Sequence, residues 1–165
     1  MIRTAAGALI AASALSLGAA PTLACPKFDA THVPPLTLGQ PDDPTHREDQ
    51  TLDTTTGGPV DLEACRNMPD EIAGHVTETA QISVVIDRYN THDLLLRVNS
   101  GCDSVLLVND ARGRWLFDDD SNGAMDASIV IERPLEGSYD IWVGDFEGQS
   151  CPAELLMTLE PRGER

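Results

Sequence analysis

The sequence has 165 residues and combines 11 Lys and Arg with 27 Asp and Glu, for a formal net charge of −16 at pH 7. This length suits one domain with a single core. A chain this acidic repels phosphate backbones and anionic membrane surfaces, so the charge argues against nucleic acid as a partner.

Residues 1–24 have the organisation of a secretory signal peptide. Arg3 precedes an apolar stretch from Ala5 to Ala20, and small residues lie just before a predicted cleavage after Ala24. Removing 24 of the 165 residues leaves 141, and the loss of Arg3 changes the net charge from −16 to −17. We therefore expect a periplasmic or secreted protein with no membrane span.

Cys25 directly follows the predicted cleavage site, and two fates are open for it. Lipoprotein processing requires a Cys at this position, although Thr22 stands where such sites usually carry Leu. The four Cys all survive cleavage, and an even number in an oxidising compartment predicts two disulfides. We predict a Cys102–Cys151 bridge, because each Cys stands at the entrance to a predicted strand, and a Cys25–Cys65 bridge, which a lipid on Cys25 would prevent.

Residues 25–73 are rich in Pro, Thr, Asp and Gly, with short apolar pieces such as Leu36–Leu38 and Val60–Leu62. Proline and glycine interrupt strand ladders, so we expect a loop-rich N-terminal extension with edge strands. The best helix candidate begins at Leu62 and ends at Met68, where Pro69 limits it to a turn or two.

Residues 74–161 show period-two alternation and β-branched runs, which are typical of strands. Turn residues separate the runs at intervals of about ten residues, a spacing typical of an antiparallel sandwich. We predict an all-β fold, an antiparallel jelly-roll-like β-sandwich of about eight strands over 74–161, with 162–165 as a tail. The clearest strands are 82–86, 94–98, 105–108, 128–131, 139–143 and 155–159.

Aromatic residues make up 4% of the chain, so the few bulky rings are predicted to anchor the core. Trp142 alternates with apolar neighbours in a predicted strand, so one face of the sheet must hold it against a partner layer or a ligand. Trp115 and Trp142 are therefore also candidates for aromatic contacts with a ligand.

The acidic stretch 118–126 reproduces the first half of a calcium-binding loop, with Gly123 at its turn position. In such a loop alternate side chains point at one centre, and their hard oxygen atoms suit Ca²⁺. The candidate ligands occupy positions 1, 3, 5 and 9 of the loop: Asp118, Asp120, Asn122 and Asp126.

The second half of this loop departs from the calcium pattern. Position 12 is Ile129 instead of a bidentate Glu, and the flanks are predicted strands, so the stretch is not an EF-hand. Asp103, Asp110 or Asp145 from neighbouring loops are candidates to complete a site. The alternative is a solvated hairpin tip, in which Asp and Asn favour the turn.

The runs 102–110, 113–115, 118–121 and 137–144, taken in this order, resemble bacterial pre-peptidase C-terminal-type domains. The similarity covers residues 74–160, and it is carried by the Asp119-Asp120 pair, the Gly137-x-Tyr139 turn and Trp142. The resemblance implies a jelly-roll-like β-sandwich that acts as a non-catalytic accessory module of secreted proteins. Some members of that family bind calcium, and a few bind polymers such as collagen.

Three function classes follow from these observations. We expect a non-catalytic exported accessory or binding domain, which calcium at the acidic loop would stabilise and whose partner is an envelope protein or polymer. A secreted serine peptidase-like hydrolase is the first alternative, but the glycines that would shape an oxyanion hole are missing after Ser104. A purely structural periplasmic domain is the second alternative.

Overall fold

The computed structural model describes residues 25–28, 36–38, 49–66, 68–87, 92–123 and 125–162. The predicted signal peptide and residues 163–165 of the predicted tail lie outside these ranges. Within them the regular secondary structure is all β. The strands are β1 (Leu36–Leu38), β2 (Asp49–Thr55), β3 (Val60–Asp61), β4 (His75–Val76), β5 (Ile82–Ile86), β6 (His92–Ser100), β7 (Ser104–Asn109), β8 (Trp115–Asp118), β9 (Ser128–Ile131), β10 (Gly137–Asp145) and β11 (Pro152–Pro161).

The smaller sheet is fully antiparallel, with strand order β2-β11-β6-β9. Its side chains alternate as the sequence predicts: Leu155, Met157 and Leu159 of β11 are buried, and the residues between them are more exposed. One face of this sheet therefore lies on the core and the other faces solvent.

The larger sheet has seven strands built around β10. One side of β10 pairs with β7, which in turn pairs with β8. The other side pairs with β5 along Gly137–Ile141 and with β4 at Asp145. The N-terminal strand β1 pairs with β5 in parallel, and β3 pairs with β4.

The main core lies between the two sheets. The smaller sheet contributes side chains such as Leu96 and Leu155, and the larger sheet contributes Leu106, Tyr139 and Ile141, all of them at most 1% exposed. Burial of this much apolar surface is the principal force that stabilises a sandwich.

A second core lies on the opposite face of the larger sheet. Val105, Leu107 and Trp142 point to this face, and a covering segment that we call the outer layer, residues 62–66 and 68–72, packs on them. The Cys25–Cys65 disulfide, with a Cα–Cα distance of 5.6 Å, ties residues 25–28 to this layer. Because the larger sheet is covered on both faces, all six residues of β7 are buried.

The predicted all-β sandwich is confirmed, and each of the six clearest strands is present, with β5 and β9 matching their predicted bounds. Residues 74–161 hold eight strands, β4 to β11, which is the number expected for the sandwich, and the described part of the N-terminal extension adds three more, β1 to β3. Within the Leu62–Met68 segment, described residues 62–66 and 68 form turns, and the Cys65 N–H donates to the Leu62 carbonyl at 3.0 Å. No helix long and apolar enough to span a membrane occurs in the described ranges.

Candidate functional site

Three loops meet at one end of the sandwich, which we call the acidic end. They follow β6 (101–103), β8 (119–127) and β10 (146–151), and the strand pairings bring their starting points to the same edge of the molecule. Loops held at the end of a rigid sandwich are a common place for binding residues. The acidic end is therefore the first place to look for a site.

A disulfide and a close backbone contact hold these loops in place. The predicted Cys102–Cys151 disulfide is confirmed, with a Cα–Cα distance of 6.2 Å, and it joins the loop after β6 to the loop after β10. Gly57, with φ of 79°, lies against the Gln149 carbonyl so closely that a Cβ atom would overlap it. The loops of the acidic end are thus held in place from two sides.

Carboxylates concentrate at the acidic end and act on one another. Partial burial raises the pKa of Asp103 above its ordinary value, and neighbouring carboxylates raise it further. In order of size these neighbours are Asp120, Asp145, Asp119 and Glu147. A local negative potential of this kind attracts cationic partners.

Two large apolar side chains are exposed among these carboxylates. Phe146 is 44% exposed and Met125 is 51% exposed. Both lie beside Asp103, because the Phe146 N–H donates to the Asp103 carbonyl at 2.8 Å and the Met125 carbonyl accepts from the Ser104 N–H at 2.8 Å. The acidic end therefore combines exposed apolar area with surrounding negative charge.

The loop that sequence analysis assigned to calcium uses its end residues to hold its own turn. Asp118 accepts hydrogen bonds from the Ser121 N–H at 3.0 Å and the Ser128 N–H at 2.8 Å. Asp126 accepts from the Ser100 N–H at 3.0 Å and from the Ser104 hydroxyl at 3.2 Å. These bonds match the hairpin alternative, in which Asp side chains organise the turn.

The middle residues of the loop behave differently from its ends. Asn122 donates through Nδ2 to the Val98 carbonyl at 2.6 Å, and Asp120 is exposed. Across the described ranges, no three His, Cys, Asp or Glu side chains are close enough together to hold a metal ion. Calcium binding at this loop stays a prediction.

Of the three carboxylates named as further ligands, two lie at this end and one does not. Asp103 and Asp145 are here, but Asp145 is fully buried and its Oδ1 accepts from the Glu147 and Gln149 N–H groups at 3.0 and 2.7 Å. Asp110 follows the opposite end of β7, so its predicted contribution to this loop is wrong.

The two tryptophans are placed by the second core. Trp142 is fully buried under the outer layer, which leaves no surface of it for a ligand. Trp115 is half-buried, with its ring centroid 5.4 Å from that of Trp142 and 6.3 Å from that of Phe28. Both rings therefore serve as core anchors, the first of the two roles considered from the sequence.

Phe146, Met125 and Glu147 were not singled out by sequence analysis. A usable signal was present: Phe146 interrupts a polar turn directly after a long strand, where an apolar side chain has no core to enter. Its proximity to Met125 depends on strand pairing and was not readable from spacing.

The fold and these loops define a small all-β sandwich with a loop-built surface at one end. No protein-family model matches the chain, and no curated protein is significantly similar to it. A solved structure that is similar is Aeromonas hydrophila PliG, a periplasmic inhibitor of g-type lysozyme. It is 12% identical with a TM-score of 0.45, and the match covers 76% of this chain and 96% of that one.

Proposed function

We propose that this chain is a non-catalytic exported binding domain whose acidic end binds a basic protein. The observation that carries the proposal is the pair of exposed apolar side chains, Phe146 and Met125, set among mutually repelling carboxylates. Protein interfaces combine such apolar centres with a polar rim. The charge of the rim then selects a partner of the opposite sign.

Export is supported by the cysteines. Both disulfides close within the described ranges, and structural disulfides persist mainly in oxidising compartments such as the periplasm. The Cys25–Cys65 disulfide also uses the Cys25 sulfur atom, which a lipid anchor on the same residue would need. These contacts support the proposal of a periplasmic or secreted domain that carries no lipid on Cys25.

A protein partner fits the acidic end better than a polymer does. The two tryptophans do not offer a platform for ring stacking on a sugar, since Trp142 is buried and Trp115 is half-buried between Trp142 and Phe28. Phe146 and Met125 are exposed apolar side chains on two different loops, and such side chains suit pockets on a folded protein.

The burial of Ser104, the candidate nucleophile, argues against the hydrolase alternative. Ser104 is fully buried, its hydroxyl donates to Asp126 Oδ1 at 3.2 Å, and its Oγ accepts from the Ala127 N–H at 3.1 Å. A serine nucleophile needs an accessible hydroxyl beside a histidine base. The bonding of Ser104 instead gives it a role in holding the loop after β8.

A photocrosslinking experiment tests the proposal in the organism that produces the protein. A photoreactive phenylalanine analogue is placed at position 146, and a matched control carries it at Val130, which is 42% exposed against 44% for Phe146 but lies on β9. We expect a discrete crosslinked protein from position 146 and none from position 130, and we expect that protein to be basic.

Charge reversal of the rim provides the second arm. Replacing Asp119, Asp120 and Glu147 with Lys should abolish the crosslink at position 146, because the partner would then face like charge. Replacing Asp49, Glu136 and Glu160, three carboxylates toward the opposite end of the sandwich, with Lys should leave it intact. Identical adducts from positions 146 and 130, or an acidic partner, would contradict the proposal.

A further inference from the structure

A second loop cluster lies at the end of the sandwich opposite the acidic end. The turn between β7 and β8 and the loop between β9 and β10 enclose a cavity of about 210 Å³, which we call the arginine pocket. Its charged lining consists of Arg112, Arg114, Arg133, Asp110 and Glu132. Tyr139 and apolar residues of the same loops complete the wall.

The arginine pocket is rich in positive charge, whereas the molecule as a whole is strongly negative. The formal net charge of the chain is −16, and the described ranges hold seven cationic side chains: Lys27, Arg66, Arg97, Arg112, Arg114, Arg133 and Arg162. Three of the seven line this one cavity. Asp110 and Glu132 offset two of these three charges, which leaves the lining with a formal net charge of +1 that an anion can compensate.

One of the two acidic residues in the lining is already neutralised. Asp110 is buried and pairs with Arg114, whose Nε–H donates to Asp110 Oδ2 at 2.8 Å. This pair fixes the direction of the Arg114 side chain, which remains 57% exposed. A guanidinium held from one edge still presents its other N–H groups to a ligand.

The other two arginines have no such partner. Within the described ranges, no carboxylate lies within ion-pair distance of the Arg112 or Arg133 guanidinium. The backbone N–H of Arg112 donates to Asp110 Oδ1 at 2.9 Å, so the turn itself is fixed while the side chain is exposed. Both guanidinium groups are available to an external anion.

Arg133 is held in an unusual backbone conformation. Its φ of 51° lies in the left-handed region, which favours glycine, and its N–H donates to Asp93 Oδ1 at 3.0 Å. No other residue of the described ranges except glycine has a positive φ. Strain of this kind is found where the position of a side chain matters for binding.

The floor of the pocket is rigid. Tyr139 is 1% exposed, and its hydroxyl donates to the Leu135 carbonyl at 2.9 Å, as in the tyrosine corner of β-sandwiches. That bond fixes the loop that carries Arg133 against β10. The pocket is thus preorganised by the fold before any ligand arrives.

We propose that the arginine pocket binds an oxyanion, the carboxylate or phosphate group of a small ligand, between the guanidinium groups of Arg112, Arg114 and Arg133. Forked N–H donors match the geometry of both groups, and charge-assisted bonds from them are among the stronger hydrogen bonds. The cavity volume admits such a group but not a large ligand. The site is separate from the proposed function at the acidic end and does not depend on it.

Nuclear magnetic resonance titration of the disulfide-bonded protein tests the proposal. Inorganic phosphate and acetate are added in separate experiments at constant ionic strength, with chloride as the reference anion. We expect saturable shifts at millimolar concentration, confined to residues 110–114 and 131–135. Saturation by phosphate, by acetate or by both supports the proposal and identifies which group the natural ligand carries.

Variants separate binding from folding. Arg112→Gln removes a charge without touching the Asp110–Arg114 pair, and it should weaken binding about tenfold. Arg133→Gly removes a second charge while fitting the positive φ, so it should lose affinity without lowering Tm. Arg97→Gln, at an exposed position of β6, is the matched control and should bind like the parent.

Two results would overturn the proposal. The first is the lack of any saturable shift with either anion beyond that seen with chloride. The second is unchanged affinity in Arg112→Gln and in Arg133→Gly, since each variant removes one of the three cations on which the proposed binding depends. Because Arg133→Gly is expected to keep its Tm, its affinity can be measured on folded protein.

Discussion

Asp103 and Asp110 lie just beyond the two ends of β7, and their pKa values are shifted in opposite directions. At Asp103, partial burial and four neighbouring carboxylates raise the pKa. At Asp110, burial alone would raise it, but hydrogen bonds from the Arg114 side chain and from the Arg114 and Arg112 N–H groups lower it overall. Stability should therefore respond to pH differently at each end.

Asp103→Asn should raise Tm at pH 7. A carboxyl whose pKa is raised in the folded state favours folding below its unfolded pKa, and that contribution is lost as pH rises through the folded pKa. Ionised Asp103 is thus unfavourable at pH 7, and the variant removes this repulsion. Thermal unfolding at pH 7 and pH 3 checks this, since the gain should disappear at pH 3 and shrink in high salt.

Asp110→Asn should have the opposite effect. Because the pKa of Asp110 is lowered on folding, its contribution is present above the unfolded value of about 3.9 and is lost as pH falls through the folded value. We expect the variant to lose about 1–2 kcal/mol at pH 7 and to show a flatter pH dependence in acid. Denaturant unfolding from pH 2 to 7 measures this, with exposed Asp53→Asn on β2 as the control. A parent-like acid profile would contradict it.

At the scale of elements, the connection from β8 to β9 depends on its first carboxylate. Asp118→Ala should destabilise the protein by about 2 kcal/mol, because the N–H groups of Ser121 and Ser128 lose their acceptor. Asp120→Ala is the matched control, since Asp120 is exposed and makes no side-chain hydrogen bond within the described ranges. Equal stability of the two variants in urea would show that Asp118 does not organise the loop.

Calcium is tested on the same pair of residues. A calcium site at 118–126 predicts that millimolar CaCl₂ raises Tm of the parent and that Asp120→Ala loses this response. MgCl₂ at equal concentration is the control for ionic strength. An unchanged Tm of the parent protein in CaCl₂ would contradict calcium binding at this loop.

The elements that could be predicted from sequence are those whose burial leaves a pattern in it. β11 alternates Leu155, Met157 and Leu159 with more exposed residues, and β7 contains a continuous apolar run, residues 105–108, because both faces of its sheet are covered. β2 carries one large apolar residue, Leu52, in seven, so pairing with β11 rather than pattern defines it as a strand.

The candidate site was harder to predict from the sequence than the fold, for a related reason. The disulfide Cys102–Cys151 was predictable because each Cys precedes a recognisable strand. The nearness of Phe146, Met125 and Asp103 depends on three loops 20 or more residues apart, which only the strand order brings together. The arginine pocket likewise joins the turn after β7 to the loop after β9.

At the scale of the molecule, the two disulfides should stabilise equally but protect different parts. Replacing either pair with Ser should cost about 3–4 kcal/mol, because the sequence separations are 40 and 49 residues. Loss of Cys25–Cys65 should also loosen the outer layer and expose Trp142, shifting its fluorescence to the red.

Loss of Cys102–Cys151 is the matched control for that measurement. It should leave the emission of the folded protein blue, because the second core is not attached to this bridge. Acrylamide quenching of both variants under native conditions distinguishes the two outcomes. A red shift in both, or in neither, would show that the outer layer is not held by Cys25–Cys65.

The opposition of charge along β7 gives the molecule a polarity that a uniform acidic surface would lack. Carboxylates crowd one end, and three arginines line the other, about 20 Å away along six residues of strand. The electrostatic field of an approaching basic partner would therefore orient the domain before contact, so that the acidic end faces the partner. Once seated, it would leave the arginine pocket facing outward, so the two proposed sites could be occupied at the same time.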